Sequence, residues 1–176
     1  MAHVFTVGHS THPFEEFADM LTEYRVDLVA DVRTVPKSRH NPQFAADALR
    51  ESLPERAISY RHLPSLGGLR RPAKNSINTG WNNASFRGYA DYMQTAQFAD
   101  GLAELIELTT EATVAVMCAE AVPWRCHRSL IGDALLVRNF DVDDIMSASS
   151  VRPHKLTRFA QVDRLSLTYP PVDEEN

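Results

Sequence analysis

Short apolar runs alternate along the chain with stretches whose apolar residues fall three and four positions apart. His3-Val4-Phe5-Thr6-Val7, stopped by Gly8 and the polar turn His9-Ser10-Thr11-His12-Pro13, predicts a strand ending in a turn. Phe14, Phe17, Leu21 and Tyr24 then share one helical face, with Thr11 or His12 as cap and Pro13 in the first turn. Leu28-Val29-Ala30-Asp31-Val32 does not alternate, as expected of a strand covered on both faces of a parallel sheet.

A polar loop from Arg33 to Pro42 leads to a helical stretch, Phe44 to Leu53, and then to a third strand from Ile58 to Leu63. Pro64 to Ser85 has no period and much Gly, Pro, Asn and Arg, so it reads as a lid or a mobile segment. Ser85 is the expected cap of a long helical region, Phe86 to Thr110, with a break near Asp100-Gly101. Thr113 to Met117 is the clearest buried strand. The helix after it has Leu130, Ile131, Ala134 and Leu135 on its core face and some of Arg125, Cys126, His127 and Arg128 in its first turn. Val142 to Met146 predicts a fifth strand, and the chain beyond Val151 an extended arm able to add edge strands, with Asp173 to Asn176 disordered. The fold class is therefore α/β: residues 1–150 form a three-layer domain with a mostly parallel sheet of about five strands flanked by helices, and arm 151–176 packs on it.

Composition narrows the class. The chain has 176 residues, 44% hydrophobic and 23% charged, which fits an ordinary globular domain and excludes collagenous or disordered chains. No apolar run approaches the roughly 18 residues of a membrane span. The N-terminus lacks a basic segment followed by a long apolar one, so a cytoplasmic location is expected. In that compartment Cys118 and Cys126 read as buried, metal-bound or reactive thiols rather than as a bridge. Net charge is −5, which argues against a general duplex-DNA coat protein. Nine Lys and Arg against three acids between Arg33 and Lys74 make a local +6 and leave −11 elsewhere, a basic sector able to focus an anion.

In open α/β sheets ligands bind beyond the carboxyl ends of the strands. Gly8, His9 and Ser10 follow the first strand, Asp31 and Arg33 end the second, and Arg61 and His62 end the third. Cys118 and Glu120 follow the fourth, ahead of Cys126-His127-Arg128. Each has a second reading. His9 suits a structural histidine, Asp31 a partner for Arg33, Ser10 a helix cap and Cys118 a small core residue. A thiol among Arg125, His127 and Arg128 is in the positive setting that activates a nucleophile, but Cys126 equally suits packing while Arg128 binds an anion or pairs with Glu120.

Other chemistries fit less well. A phosphatase-like or rhodanese-like loop needs small residues and five-residue spacing from Cys to Arg, whereas six residues, Pro123 and Trp124 among them, stand between Cys118 and Arg125. Zinc would draw on Cys118, Cys126, His127 and His9, but this spacing is not that of a zinc knuckle, and no metal or other cofactor is expected. Neither a Walker A loop nor G-x-G-x-x-G is present. Gly67-Gly68 with Arg70-Arg71 suits a mobile phosphate clamp or a plain flexible loop.

Thr6-Val-Gly-His-Ser10, Asp31-Val-Arg33 with Pro36-x-Ser-Arg39, Tyr60-x-His-Leu-Pro64, Leu66-Gly-Gly68 and, above all, Met117-Cys-Ala-Glu120 with Cys126-His-Arg128 resemble the family known as domain of unknown function 488. Pro153-His-Lys-Leu-Thr-x-Phe-Ala160 and Tyr169-Pro170 are similar to the C-terminal arm of its members. The resemblance runs from about residue 4 to residue 170 and implies an α/β fold without fixing an activity.

The residues suggest a small enzyme for an anionic substrate, such as a nucleotide, a phosphorylated metabolite or a nucleic-acid end. Arg33, Arg39 and Arg128 would hold the anion, with Ser10, His62, Cys118 and His127 also lining the site. His9, Asp31 or Glu120 would serve as general acid and base, and Cys126 as nucleophile or redox-sensitive group. That reading requires the strand-end side chains to share one pocket, with loop 64–85 closing over it. The alternatives are a non-catalytic nucleotide or nucleic-acid binding module, of the kind associated with DNA repair, and a thiol-based redox sensor. No membrane partner is expected, and the oligomeric state is open.

Overall fold

The computed structural model describes residues 2–172. Strands β1 (His3–Gly8), β2 (Leu28–Asp31), β3 (Ser59–His62), β4 (Val114–Cys118) and β5 (Asp141–Ser147) lie in the order β3-β2-β4-β1-β5, and all four neighbouring pairs are parallel. Strand β6 (Ser150–Pro153) adds an antiparallel edge beside β5, and β7 (Gln161–Asp163) and β8 (Ser166–Thr168) form a separate hairpin in the arm. The fold is thus α/β, with a six-stranded, mostly parallel sheet, five helices and a C-terminal antiparallel hairpin. The predicted disorder of Asp173 to Asn176 lies outside the described residues.

The helices cover both faces. From β1 the chain moves outward past β4 to β2 and β3 by way of α1 (Phe14–Glu23) and α2 (Ala46–Ser52). It then returns to β4 by α3 (Ala84–Tyr92) and α4 (Ala96–Thr109), and α5 (Arg128–Val137) carries it to β5. Right-handed crossovers running in opposite directions place their helices on opposite faces. Accordingly Phe17, Leu21, Leu49 and Leu53 pack with Val7, Val29 and Met117 on one face, and Tyr89, Leu102, Leu130 and Ile131 pack with Val4, Val32 and Val116 on the other. The connections from β1 and β4 leave toward opposite faces, which makes the carboxyl ends of these adjacent strands the switch point where such sheets bind ligands. Among the described residues no helix is long and apolar enough to cross a membrane.

Several local expectations shift. Pro13 itself is the N-cap residue of α1, and neither Thr11 nor His12 caps it; Glu15 and Glu16 in the first turn complement the helix dipole instead. Asn83, not Ser85, caps α3, accepting from the backbone N–H groups of Ser85 and Phe86. The long helical region breaks at Met93–Thr95, where Thr95 caps α4. Gly101 stays helical and lies against Ser65. Helix α5 begins at Arg128, so Cys126 and His127 precede it, next to the 3-10 turn Pro123–Arg125.

Loop 64–85 is anchored. The Asp91 carboxylate accepts from Ala73 N, Ser76 Oγ and Asn78 Nδ2, Tyr89 and Tyr92 donate to the Leu66 and Ser65 carbonyls, and Arg70 lies over the Tyr92 ring.

Candidate functional site

The end of β1 is a glycine for a steric reason. A Cβ on Gly8 would stand 1.8 Å from the Glu120 carbonyl oxygen, so the loop leaving β4 can fold back across β1 only there. The two loops then continue the parallel pairing, as His9 N donates to Cys118 O and Ser10 N to Ala119 O. Ser10 takes a left-handed φ of 48° in this turn.

Register decides which side chains meet. Asp31 is level with Met117 and Gly8 with Cys118. Because a strand's side chains alternate, Asp31 and His9 face the α1/α2 side, whereas Cys118 faces the side covered by α3, α4 and α5. The strand-end residues share a rim, but they form two clusters on opposite faces rather than one pocket.

On the first face Asp31 is fully buried and holds Arg33 through both of its oxygens: Nε donates to Oδ1 at 2.9 Å and Nη2 to Oδ2 at 2.7 Å. Tyr60 OH donates to the same carboxylate, Arg33 Nη2 donates to the Phe44 carbonyl at 2.8 Å, and Arg33 Nη1 reaches His9 Nε2 at 3.4 Å. The His9 ring stacks on Phe44 and donates from Nδ1 to Ser10 O. Burial, with Arg33 adding, pushes the His9 pKa down against the opposing pull of the Ser10 carbonyl, so the ring is neutral. Arg33 therefore spends its guanidinium on Asp31 and on the loop. His62 holds that loop from below by donating to Arg33 O at 2.7 Å.

The second face holds the thiols. Cys118 is 2% and Cys126 7% exposed, and their sulfurs are 2.7 Å apart. Arg128, fully buried in the first turn of α5, places Nη1 3.6 Å from Cys118 Sγ and donates from Nη2 to Ala121 O. Its Nε has no partner, and among the described residues no carboxylate pairs with it. A buried guanidinium without a carboxylate is costly, and the group it faces that can become an anion is the Cys118 sulfur. Burial pushes the Cys118 thiol up, but the hydrogen bond from Cys126 and the charge of Arg128 outweigh it, and its pKa falls below the ordinary value. The bond to Cys118 and burial push Cys126 well above. The anionic form is thus favoured at Cys118 over Cys126.

His127 completes the cluster. Its Nε2–H donates to Val32 O at 2.9 Å, which leaves Nδ1 as an acceptor 3.5 Å from Cys126 Sγ. Burial lowers its pKa to about 4 against the pull of the Val32 carbonyl, so the ring is neutral. Gly68 packs on the ring edge, and Thr34 Oγ1 donates to the Gly68 carbonyl, so loop 64–85 lies against His127.

Two candidates lie outside both clusters. Glu120 is exposed and forms no ion pair with Arg128 among the described residues, while Arg39 is exposed on a separate depression lined by Pro36, Lys37 and Arg50. No group of three or more His, Cys, Asp or Glu is placed to hold a metal among the described residues.

A third cluster escaped the sequence reading. Asp133 in α5 is fully buried and accepts from His154 Nε2 at 2.9 Å, Thr157 N at 3.1 Å and Tyr169 OH at 2.9 Å, while Asp144 lies 3.8 Å from the other nitrogen of His154. The available signal was an acid at position 133, among Leu130, Ile131, Ala134 and Leu135 on the face predicted to be core.

Fold and site define a doubly wound α/β protein with a buried, arginine-backed cysteine pair at the switch point of its sheet. The chain belongs to the family described as domain of unknown function DUF488, whose model matches residues 13–135 and so includes Cys118, Cys126, His127 and Arg128. No curated protein and no solved structure matches the chain.

Proposed function

We propose that the protein is a thiol–disulfide redox protein that cycles Cys118 and Cys126 between a reduced pair and a disulfide. The observation that carries this reading is the 2.7 Å contact between the two sulfurs beside a buried guanidinium that no carboxylate neutralises among the described residues. With Cys118 as thiolate and Cys126 as thiol, oxidation removes two electrons and one proton from the pair and forms one S–S bond. A disulfide co-reactant accepts them and becomes one thiol and one thiolate. A thiolate stabilised by Arg128 also leaves readily when an incoming thiol attacks Cys126, which favours exchange in both directions. The acid–base reading for an anionic substrate needed His9, Asp31 and Arg128 in one pocket, and their separation onto two faces removes its support.

The test equilibrates the protein in buffers of graded thiol-to-disulfide ratio, quenches with an alkylating mass tag and counts the free thiols. The expected result is one two-electron transition that is lost in Cys118→Ser and in Cys126→Ser. In Cys126→Ser, ultraviolet thiolate absorbance is expected to titrate below the ordinary thiol range. Two free thiols at every ratio overturn the proposal.

A further inference from the structure

The two sulfurs differ in what they can reach. A groove of about 270 Å³ opens beside Cys126 and His127, bounded by Gly68, Phe86, Tyr89 and Arg125, and Cys118 does not line it. Any partner must therefore meet Cys126 first. Among the described residues no acidic one lines this groove, and Arg125 at its wall is exposed, in a protein whose net charge is −5. The volume suits a small molecule rather than a protein loop, its aromatic floor suits an uncharged stem, and its charge suits an anion.

We infer that the groove admits a low-molecular-weight disulfide bearing carboxylates, held by Arg125 with its S–S bond against Cys126. This rests on the redox reading above and names the co-reactant. As Cys126 attacks, its proton crosses the short contact to Cys118, the new bond joins Cys126 to one half of the substrate, and the other half leaves as a thiolate. That thiolate takes the proton from Cys118. The Cys118 thiolate then attacks Cys126 Sγ, forming the internal disulfide and releasing the second half as a thiolate. Two electrons pass from the protein to the substrate, and one disulfide is exchanged for another.

The experiment compares three disulfides, each rate normalised to that with a free small thiol: glutathione disulfide, which carries carboxylates, neutral hydroxyethyl disulfide, and cationic cystamine. Glutathione disulfide should oxidise the reduced protein about tenfold faster than cystamine at low salt, with the gap narrowing as salt rises. Arg125→Glu should reverse the order. Lys37→Glu, the same change of charge in a different depression, should keep it. Equal normalised rates for the three reagents, or an order insensitive to Arg125→Glu, overturn the inference while leaving the redox reading intact. A protein that forms no disulfide with any of the three overturns both.

Discussion

Helix α5 carries two buried charges five residues apart, and they are treated in opposite ways. Asp133 receives three hydrogen bonds, from His154, Thr157 and Tyr169, and so fastens the C-terminal arm to the domain. Among the described residues Arg128 has a carbonyl and a sulfur for partners, an empty Nε and no carboxylate. A saturated buried group is what a structural clasp needs, because every unmet hydrogen bond would cost stability. A group left short is tolerated where its charge is needed for something that changes, which on the proposed redox reading is the ionisation of Cys118.

The largest effect should come from cutting the clasp. Asp133→Ala strands a protonated His154, the Tyr169 hydroxyl and the Thr157 amide, and should destabilise the fold by about 3–5 kcal/mol in denaturant unfolding. Asp133→Asn, which keeps an acceptor, should lose less. A loss under about 1 kcal/mol for the alanine variant would break the contrast with Arg128.

Two partly buried histidines sharpen it through pH. Burial lowers the His154 pKa, but Asp133 and Asp144 raise it by more, to about 9 against an ordinary 6.5. Its contribution is full below pH 6.5 and is lost as pH rises through 9. His127 is lowered to about 4, so its contribution is full above pH 6.5 and is lost as pH falls toward 4. Each is worth about 3 kcal/mol at most. Unfolding midpoints measured from acid to alkaline pH should show both losses, with His154→Gln abolishing the alkaline one and His127→Gln the acid one. A profile unchanged by either substitution would show that neither cluster holds its histidine as described.

The smallest effect on stability belongs to Arg128→Met, since an apolar side chain of similar length replaces a charge that lacks a counter-ion among the described residues. Its effect should appear in the chemistry. The Cys118 thiolate loses its stabilisation, and the couple moves to a more reducing potential by about 30 mV for each tenfold change in the exchange equilibrium. An unchanged potential would mean that the guanidinium does not act on the sulfur.

Much of this fold was legible in the chain. Unbroken apolar runs such as Val114 to Met117 are strands buried on both faces, and Phe14, Phe17 and Leu21 at helical spacing face a core; both patterns are local. Errors of capping and of the helix break were equally local, since Asn83, Thr95 and Pro13 competed with neighbours of similar propensity. The site was half legible. Polar residues at strand ends do lie on one rim of the sheet, but the pairing of Asp133 with His154 and Tyr169 spans 21 and 36 residues, and no short pattern announces it.

The sequence by itself determined the order of strands and helices, the rim that collects the polar strand-end residues and the presence of two thiols near an arginine. Tertiary structure alone decided the partition. Moving β4 by one residue against β2 would turn Cys118 toward Asp31 and Met117 away from it, because side chains along a strand alternate faces. That register is set by helices packing on both sides of the sheet and by Gly8 admitting the β4 loop at a single point, both of which are contacts between distant parts of the chain. The same packing buries Arg128 without a carboxylate partner among the described residues and places its guanidinium against Cys118 Sγ.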